Sequence, residues 1–303
     1  MKKLLTLGGI KTKLGRSETF WGYLFLTPTL IGLAVFSAGA VLATLGLSFC
    51  RWTILTPPTW GGLVNYDTAI HDPVFITALV NTFWFTIGSV PLNLVFSLFF
   101  ALLLNNKIKG VTIYRTIYFM PVISSIVAVS LLWSWLYDPR YGLINYLLHT
   151  LFGLNGPPWL SDTDWAMPAV IIMSVWRNLG YSIVIFLAGL QGIATEYYES
   201  AEIDGANWYQ KIKQITLPLL TPTTFFILIT SIISSFQVFE QTYVLTRGGP
   251  ANSTMTLVYY LFLNAFHWFK MGYASAIGVI CFIIVLIVTL FQLRYQKKWV
   301  HYQ

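Results

Sequence analysis

Polar residues that could bind a ligand lie in two long apolar stretches, where polar side chains are costly and usually face an interior or a water-filled path. In one stretch, Arg177, Asn178 and Tyr181 lie close together. In the other, three serines at i, i+3 and i+4 share one helix face and are followed by further polar residues: Ser231, Ser234, Ser235, Gln237 and Glu240. Hydroxyl and amide groups suit the hydroxyls of a sugar, and nearby aromatic rings suit its C–H faces. We therefore predict that these residues line a substrate pathway.

Two structural alternatives remain open for these residues. The serines are also typical of helix–helix packing inside a membrane, where small residues are common. Arg177 and Glu240 could form a structural ion pair, with the arginine extending towards the membrane surface. If Arg177 faces a cavity instead, its guanidinium group would suit a phosphate or another anionic group.

The sequence lacks the motifs of common catalytic and metal sites. It contains no GxxxxGK[ST] phosphate loop, and therefore no sign of ATP hydrolysis by this chain, and no HExxH, CxxC or GxSxG motif. Cys50 and Cys281 have no disulfide or metal spacing and are interpreted as apolar filler. We expect no catalytic residue, no metal site and no cofactor bound by the chain itself.

The composition predicts a membrane protein. Of the 303 residues, 56% are hydrophobic and 10% charged, whereas soluble domains carry about 25% charged residues. A helix needs about 20 apolar residues to cross the hydrocarbon core. Six spans are predicted, at about 21–47, 75–104, 112–136, 166–190, 218–245 and 271–293. The fourth span requires that Arg177 be accepted inside the membrane.

The distribution of basic residues predicts the orientation of the spans. If six spans alternate, 13 of the 18 basic residues lie on one side and four on the other, with Arg177 buried. Because basic loops stay in the cytoplasm, both termini are predicted to be cytoplasmic. The predicted organisation is an N-terminal tail (1–20), a six-span domain (21–293) that includes a long cytoplasmic loop (191–217), and a C-terminal tail (294–303).

The long loop is the most polar part of the sequence. The stretch EYYESAEIDGANWYQKIKQITLPLL, residues 196–220, contains four acids and two lysines between apolar segments. It is predicted to be helical, with Glu196, Glu199 and Ile203 on one face, a turn at Gly205, and Pro218 in the first turn of span five.

This loop carries a family signature. Glu199-Ser200-Ala201, Gly205, Ile215 and Leu217-Pro218 fit the pattern EAA, three residues, G, nine residues, I, one residue, LP, except for Ser200. The pattern resembles the signature of membrane subunits of binding-protein-dependent ABC importers. The longer stretch AEIDGANWYQKIKQITLPLL resembles the carbohydrate branch of this family, in the subgroup for sugars, glycosides and glycerol phosphates. Further motifs occur in the family's order over residues 23–295: LVNYD, NTFWF, YRTIYFMP, SVWRNLGYSIVIFLAGLQGI and YVLTRGGPANSTMTLVYYLF.

The resemblance implies an all-α polytopic protein with the type I importer permease fold. It also implies that a short helix in the loop docks in a cleft on a cytoplasmic ATPase subunit, so that motion of the ATPases moves spans four and five. The residues implied in this coupling are Glu199, Ser200, Ala201, Asp204, Gly205, Leu217 and Pro218. The alternative is a surface helix on the lipid headgroups, but its acids would be repelled by an anionic inner leaflet.

The resemblance also implies positions for a sugar site. Relatives with a known sugar site use residues at the positions of Asn178, Tyr181, Ser231, Ser234, Ser235 and Val238. Tyr181 matches that pattern directly. Ser235 and Val238 replace asparagines, so the particular sugar cannot be carried over.

We therefore expect a permease subunit of an ATP-driven carbohydrate importer in the bacterial inner membrane. The implied partners are a homologous second permease, two ATPase subunits that use ATP and Mg, and an extracytoplasmic solute-binding protein. The main alternative is import of glycerol 3-phosphate or a phosphodiester by the same machinery. A stand-alone secondary transporter would need coupling-ion carboxylates at the midplane, and Glu240 is too solitary for this. An intramembrane enzyme would need convergent catalytic groups, which the sequence lacks.

Overall fold

The structure, a computed structural model, describes residues 13–105 and 110–300. Most of the predicted N-terminal tail lies outside these residues, as do Lys107 and Lys109, two of the basic residues that predict the orientation. The described chain is helical except for connecting loops and a short antiparallel pair of strands, β1 (Cys50–Arg51) and β2 (Thr59–Trp60). The predicted all-α class is confirmed.

Among the described residues up to Gln191, the chain forms eight α-helices. α1 and α2 are joined by a π-helical segment, Leu33–Gly39, so that they form one long helical unit. The bounds are α1 Lys13–Gly32, α2 Ala40–Ser48, α3 Val64–His71, α4 Pro73–Leu104, α5 Val111–Ile123, α6 Ile126–Leu136, α7 Leu143–Phe152 and α8 Thr163–Gln191.

The second half alternates short helices with π-helical turns and ends in one long helix. Its α-helices are α9 Thr195–Ile203, α10 Trp208–Lys211, α11 Leu217–Leu219, α12 Thr221–Phe236, α13 Glu240–Leu245, α14 Leu257–Phe262 and α15 Met271–Trp299. π-Helical turns occupy Ile212–Thr216 and Leu263–His267.

Four helical units are long and apolar enough to cross a membrane: Ser17–Ser48, Pro73–Leu104, Thr163–Gln191 and Met271–Trp299. Two further units are bent pairs, α5 with α6 at 101° and Trp208–Leu219 with α12 at 61°. By length and composition, the described residues therefore form four spans, or up to six if each bent pair is one span. The orientation of the termini stays a prediction, and so does the division into tails and membrane domain.

The predicted spans 112–136 and 218–245 are each interrupted in the structure, so they are not single straight helices. Ser124 and Ser125 have extended backbone angles between α5 and α6, and paired Gly or Ser residues are common sites of helix kinks. The second interruption precedes Pro222. A proline has no N–H, and its ring clashes with the carbonyl four residues earlier. The same predicted span is interrupted again between Phe236 and Glu240.

Helix α4 lies at the centre of the fold, against α8 and α12. Three buried apolar clusters hold the helices together, and each takes residues from α4. The first joins α4 to α6, α8 and α13, the second to α3, α14 and α15, and the third to α8 and α12. Trp133 and Trp159 belong to the first cluster and are 8% exposed.

A carboxylate fastens the start of α4 to the last helices. Asp72 caps α4, because its side chain accepts a hydrogen bond from the N–H of Val74 at 2.9 Å. The same side chain accepts hydrogen bonds from the hydroxyl groups of Tyr260 and Tyr273. This cluster joins α4, α14 and α15 at one end of the fold.

Candidate functional site

A polar cavity of about 310 Å³ lies between α4, α8 and α12. Its volume is near the lower end of the range for small-molecule sites, about 300–1,000 Å³. The described lining contains hydroxyl, amide and aromatic groups and one guanidinium group, but no acidic side chain. Six predicted pathway residues lie in the lining: Arg177, Asn178, Tyr181, Ser231, Ser234 and Ser235.

Two predicted pathway residues do not line the cavity. Gln237 and Glu240 are exposed and lie beyond the end of α12. Gln241, the next polar residue along the chain, lies in the lining instead, and so does Val238. Because α12 ends at Phe236, helical spacing no longer determines which of the following side chains face the cavity.

Helix α8 supplies the arginine, asparagine and tyrosine. Asp162 begins it, since its side chain accepts from the N–H of Asp164 at 2.8 Å. Gly180 allows α5 to approach: a Cβ atom there would lie 2.3 Å from the carbonyl oxygen of Tyr118. The neighbouring Tyr181 is 50% exposed, so this side of the cavity is open in the isolated chain.

Arg177 faces the cavity without an acidic partner. Its Nε atom is buried and has no hydrogen-bond partner. Among the described residues, the ion pairs within 4.0 Å are His71–Asp67 and Lys211–Glu202. The structural ion pair between Arg177 and Glu240 that the sequence left open is therefore absent from the described chain.

The serines of α12 both line the cavity and contribute to packing between helices, the two interpretations that the sequence left open. Ser231 and Ser234 line the cavity. The hydroxyl group of Ser235 also does so, but it lies 2.9 Å from that of Thr86 on α4 and donates to the carbonyl of Ile232. Ser235 therefore contributes to packing between helices as well as to the lining.

Helix α4 forms a third wall that our sequence analysis missed. A stripe of buried polar residues runs along it at spacings of four, three, four and four: Thr82, Thr86, Ser89, Asn93 and Ser97. Ser89 and Asn93 line the cavity. The spacing was visible in the sequence as a polar helix face within an uncharged run, and it could have identified this wall.

A larger cleft of about 830 Å³ lies between α5 and α8. Its lining is mostly apolar, with Arg115 and Gln191 among its few polar residues. A sugar needs many hydrogen-bonding groups, so the smaller polar cavity is the better candidate for the substrate pathway.

The polar segment, residues 191–217, folds as a helix, a turn and a second helix. Gly205 has φ of +76° and ends α9. The N–H of Ala206 donates to the carbonyl of Ala201 at 2.8 Å, and that of Gly205 to Glu202 at 3.0 Å. These two bonds form a Schellman motif, which favours glycine at the left-handed position.

Side-chain contacts hold the two helices of the polar segment together. Lys211 forms a 2.7 Å ion pair with Glu202, and the hydroxyl groups of Tyr198 and Thr216 lie 3.0 Å apart. A reciprocal capping box between Asn207 and Gln210 begins α10. The segment is therefore an ordered unit that connects the end of α8 directly to α11 and α12.

The polar segment exposes acidic and large apolar side chains to solvent. Glu199, Ser200, Asp204 and Gly205 are exposed, Ala201 is half-buried, and Leu217 and Pro218 lie in α11. Ile203 is 87% exposed and Trp208 69%. An exposed apolar patch with a polar rim is typical of a protein–protein contact.

No group of three or more His, Cys, Asp or Glu residues in the described chain could hold a metal ion. The cysteines Cys50 and Cys281 are free thiols.

Comparison with known proteins identifies the family. Residues 93–301 match the binding-protein-dependent transport system inner membrane component family. The probable ABC transporter permease protein YesP of Bacillus subtilis is 38% identical over 97% of this chain and 96% of its own length. The arabinooligosaccharides transport system permease protein AraP of the same species is 35% identical over 90% of this chain and 87% of its own length.

The fold is also that of a solved transporter subunit. A chain of a bacterial ABC transporter involved in the import of the acidic polysaccharide alginate superimposes with a TM-score of 0.79. The two sequences are 25% identical, and the match covers 93% of this chain and 96% of the other. The chain belongs to the family of inner membrane components of binding-protein-dependent transport systems, and it is a multi-pass membrane protein.

Proposed function

We propose that the chain is a permease subunit of an ATP-driven importer and that it passes a carbohydrate through the cavity between α4, α8 and α12. The observation that carries this proposal is the lining of the cavity: hydroxyl and amide groups at positions surrounded by apolar spans. Such groups are costly in a membrane unless they serve a ligand or a water-filled path. The relative AraP, a permease for arabinooligosaccharides, supports the assignment.

In this proposal, the polar segment couples the cavity to the ATPases. It leaves α8 at Gln191 and joins α11 at Leu217, so a displacement of the segment moves two walls of the cavity together. The Lys211–Glu202 ion pair and the Tyr198–Thr216 contact join its two helices, so in this proposal they move as one unit. Glu199 would anchor it in a cleft on an ATPase subunit, and the ATPase subunits, rather than this chain, would bind ATP and Mg.

The proposed partners are a homologous second permease, two ATPase subunits and an extracytoplasmic solute-binding protein. The half-exposed Tyr181 supports the second permease, since a substrate pathway that is open on one side needs another wall. The exposed Ile203 and Trp208 support a cytoplasmic partner for the polar segment.

An anionic substrate is the second candidate, and Arg177 favours it. Its guanidinium group lines a cavity with no acidic side chain in the described lining. An unpaired charge in such a place is stabilised by a phosphate or carboxylate on the substrate. Glycerol 3-phosphate or a phosphodiester fits this requirement, as does an acidic saccharide. A secondary transporter is not favoured, because Glu240 lies outside the cavity lining.

The test is uptake of radiolabelled arabinotriose, digalacturonate and glycerol 3-phosphate by the native cells, with and without inactivation of the partner ATPase. We expect ATPase-dependent uptake of at least one saccharide. Uptake of none of the saccharides, or uptake that persists without the ATPase, contradicts the proposal.

A substitution at Arg177 separates the two candidates. If the substrate is anionic, Arg177→Gln abolishes uptake of the anionic compound, because the charged hydrogen bonds are lost, and leaves neutral sugars untouched. Normal uptake of every substrate excludes a binding role for Arg177. The amount of chain in the membrane, measured by immunoblot, is the control for assembly.

A further inference from the structure

Three polar atoms in the wall of the cavity lack partners. Asn93 Oδ1, Ser174 Oγ and Arg177 Nε are buried and form no hydrogen bond within the described chain. Buried polar groups in native proteins are nearly always bonded to protein or ordered water. All three residues line the same cavity, so a molecule bound there lies beside all three side chains.

Asn93 is held in place by one end of its amide group. It is 6% exposed, and its Nδ2 donates a 2.8 Å hydrogen bond to the hydroxyl group of Ser182 on α8. This bond leaves Oδ1, an acceptor, without a partner. If the side-chain amide is rotated by 180°, the amide oxygen faces Ser182 and the NH2 group, a donor, is the one without a partner. A sugar hydroxyl, which both donates and accepts, is a partner in either orientation.

Asn93 differs in this respect from other residues of the polar stripe on α4. The hydroxyl groups of Thr82, Thr86 and Ser97 donate to backbone carbonyls of their own helix. Hydrogen bonds within α4 therefore satisfy those three hydroxyl groups, whereas one end of the Asn93 amide has no partner in the described chain.

Ser174 extends the binding face of α8. It lies four residues before Asn178 and seven before Tyr181, and residues at such spacings share one face of a helix. It is 1% exposed. The unpartnered groups on α4 and α8 thus meet in one polar cavity.

We propose that Asn93 and Ser174 bind hydroxyl groups of the transported carbohydrate, so that α4 forms a wall of the substrate site together with α8 and α12. The inference rests on the proposed function, since it assigns two further residues to the same site. Asn93 accepts a hydrogen bond from one substrate hydroxyl, and Ser174 bonds to a second.

The test uses the complete importer, reconstituted in vesicles with its partner subunits, and Asn93→Leu, Asn93→Ala and Ser174→Ala variants. The probes are arabinotriose, maltose, lactose and digalacturonate. The readout is the number of sugar molecules transported per ATP hydrolysed. A structural defect lowers transport and hydrolysis in proportion, whereas loss of a substrate contact lowers transport alone.

We expect the ratio to fall about tenfold for Asn93→Leu, which corresponds to the loss of one hydrogen bond, and also to fall for Ser174→Ala. Ser97→Ala is the matched control, because Ser97 lies one turn along the same stripe, outside the cavity lining, and bonds only within its helix. Its ratio should stay within about twofold of wild type.

Each other outcome counts against the inference. An unchanged ratio in Asn93→Ala and Ser174→Ala overturns it, and so does a proportional fall in transport and hydrolysis. If the Asn93 variants do not assemble, Ser174→Ala decides. A wild-type complex that transports none of the four sugars overturns the proposed function, and the inference with it. Transport of a sugar by the wild type with unaffected variants overturns the inference alone.

Discussion

Single polar residues in this chain divide into those that hold the fold together and those that face the cavity. Asp72 accepts hydrogen bonds from one N–H and two tyrosine hydroxyl groups, so its bonds join three helices. Arg177 and Asn93 each have a buried polar atom without a partner in the described chain. A satisfied buried group stabilises the fold, and an unsatisfied one beside a cavity points to a ligand.

The bonds to Asp72 predict a pH-dependent stability. Burial by itself raises the pKa of this carboxyl group, but the hydrogen bonds from the hydroxyl groups of Tyr260 and Tyr273 and from the backbone hold the pKa below its ordinary value of 3.8. A depressed pKa means that the contribution of Asp72 is fully present above the unfolded-state pKa. It is lost as the pH falls through the pKa of the folded state.

We expect Asp72→Asn to lower the free energy of unfolding by about 1 kcal/mol, because the group is only partly buried and its bonds are screened by solvent. The measurement is the melting temperature of both proteins in detergent over a range of pH. The difference in melting temperature between the wild type and Asp72→Asn should be constant above about pH 5 and should become smaller below the ordinary pKa of the carboxyl group. The control is Asp67→Asn, an exposed residue of α3. A difference that grows as the pH falls contradicts this assignment.

Interrupted helices are the elements that place functional groups in this protein. The end of α12 at Phe236 allows Val238 and Gln241 to line the cavity, while Gln237 and Glu240 are exposed and do not line it. The carbonyl of Val238 at this break accepts a 2.9 Å hydrogen bond from the hydroxyl of Thr256. The break is therefore stabilised by a residue that is distant in sequence.

The turn between α9 and α10 predicts the effect of substitutions at Gly205. No atom lies within 4 Å of the place where its Cβ would be, so inside this chain the demand for glycine comes from φ of +76° alone. A residue with a side chain is strained there by about 1 kcal/mol, and Asn tolerates the left-handed conformation better than most residues. We expect Gly205→Asp to lower uptake and to uncouple ATP hydrolysis from transport in vesicles.

Gly205→Asn is the matched variant that separates two causes. If backbone conformation alone matters, Asn keeps most of the uptake that Asp loses. If a partner surface approaches the turn closely, Asn loses uptake as well. Wild-type uptake by Gly205→Asp would show that the turn has no coupling role.

At the scale of the whole molecule, the orientation in the membrane follows from the charges and can be tested directly. Single cysteines are introduced at Lys213 and at Asn155, both exposed, after Cys50 and Cys281 have been replaced by alanine. We expect an impermeant thiol reagent to label Asn155→Cys in intact cells and to leave Lys213→Cys unlabelled, because basic loops stay in the cytoplasm. Lys213→Cys should react once the cells are lysed.

Labelling of Lys213→Cys from outside contradicts both the orientation and the proposed docking of the polar segment on an ATPase. The amount of each variant in the membrane fraction shows whether insertion itself has changed.

The sequence by itself determined the features that depend on composition and local pattern. Long uncharged runs predict spanning helices because an unpaired backbone is too costly in lipid, and the starts and ends of α4 and α8 agree with the predicted spans within three residues. The turn at Gly205 was likewise visible, since glycine is the residue that best tolerates a left-handed conformation. The serines of α12 and the polar face of α8 were found in the same way.

Only the tertiary structure decided which polar groups face the cavity. Asn93 was overlooked because its importance depends on Ser182 and Ser174 of another helix, far away in the sequence. For the same reason, the sequence could not decide whether Arg177 has an acidic partner. In the described chain, no acidic side chain forms an ion pair with it. Trp133 and Trp159 are likewise buried in a cluster to which several helices contribute. Burial and pairing arise from contacts between distant segments, and a pattern along one segment cannot specify them.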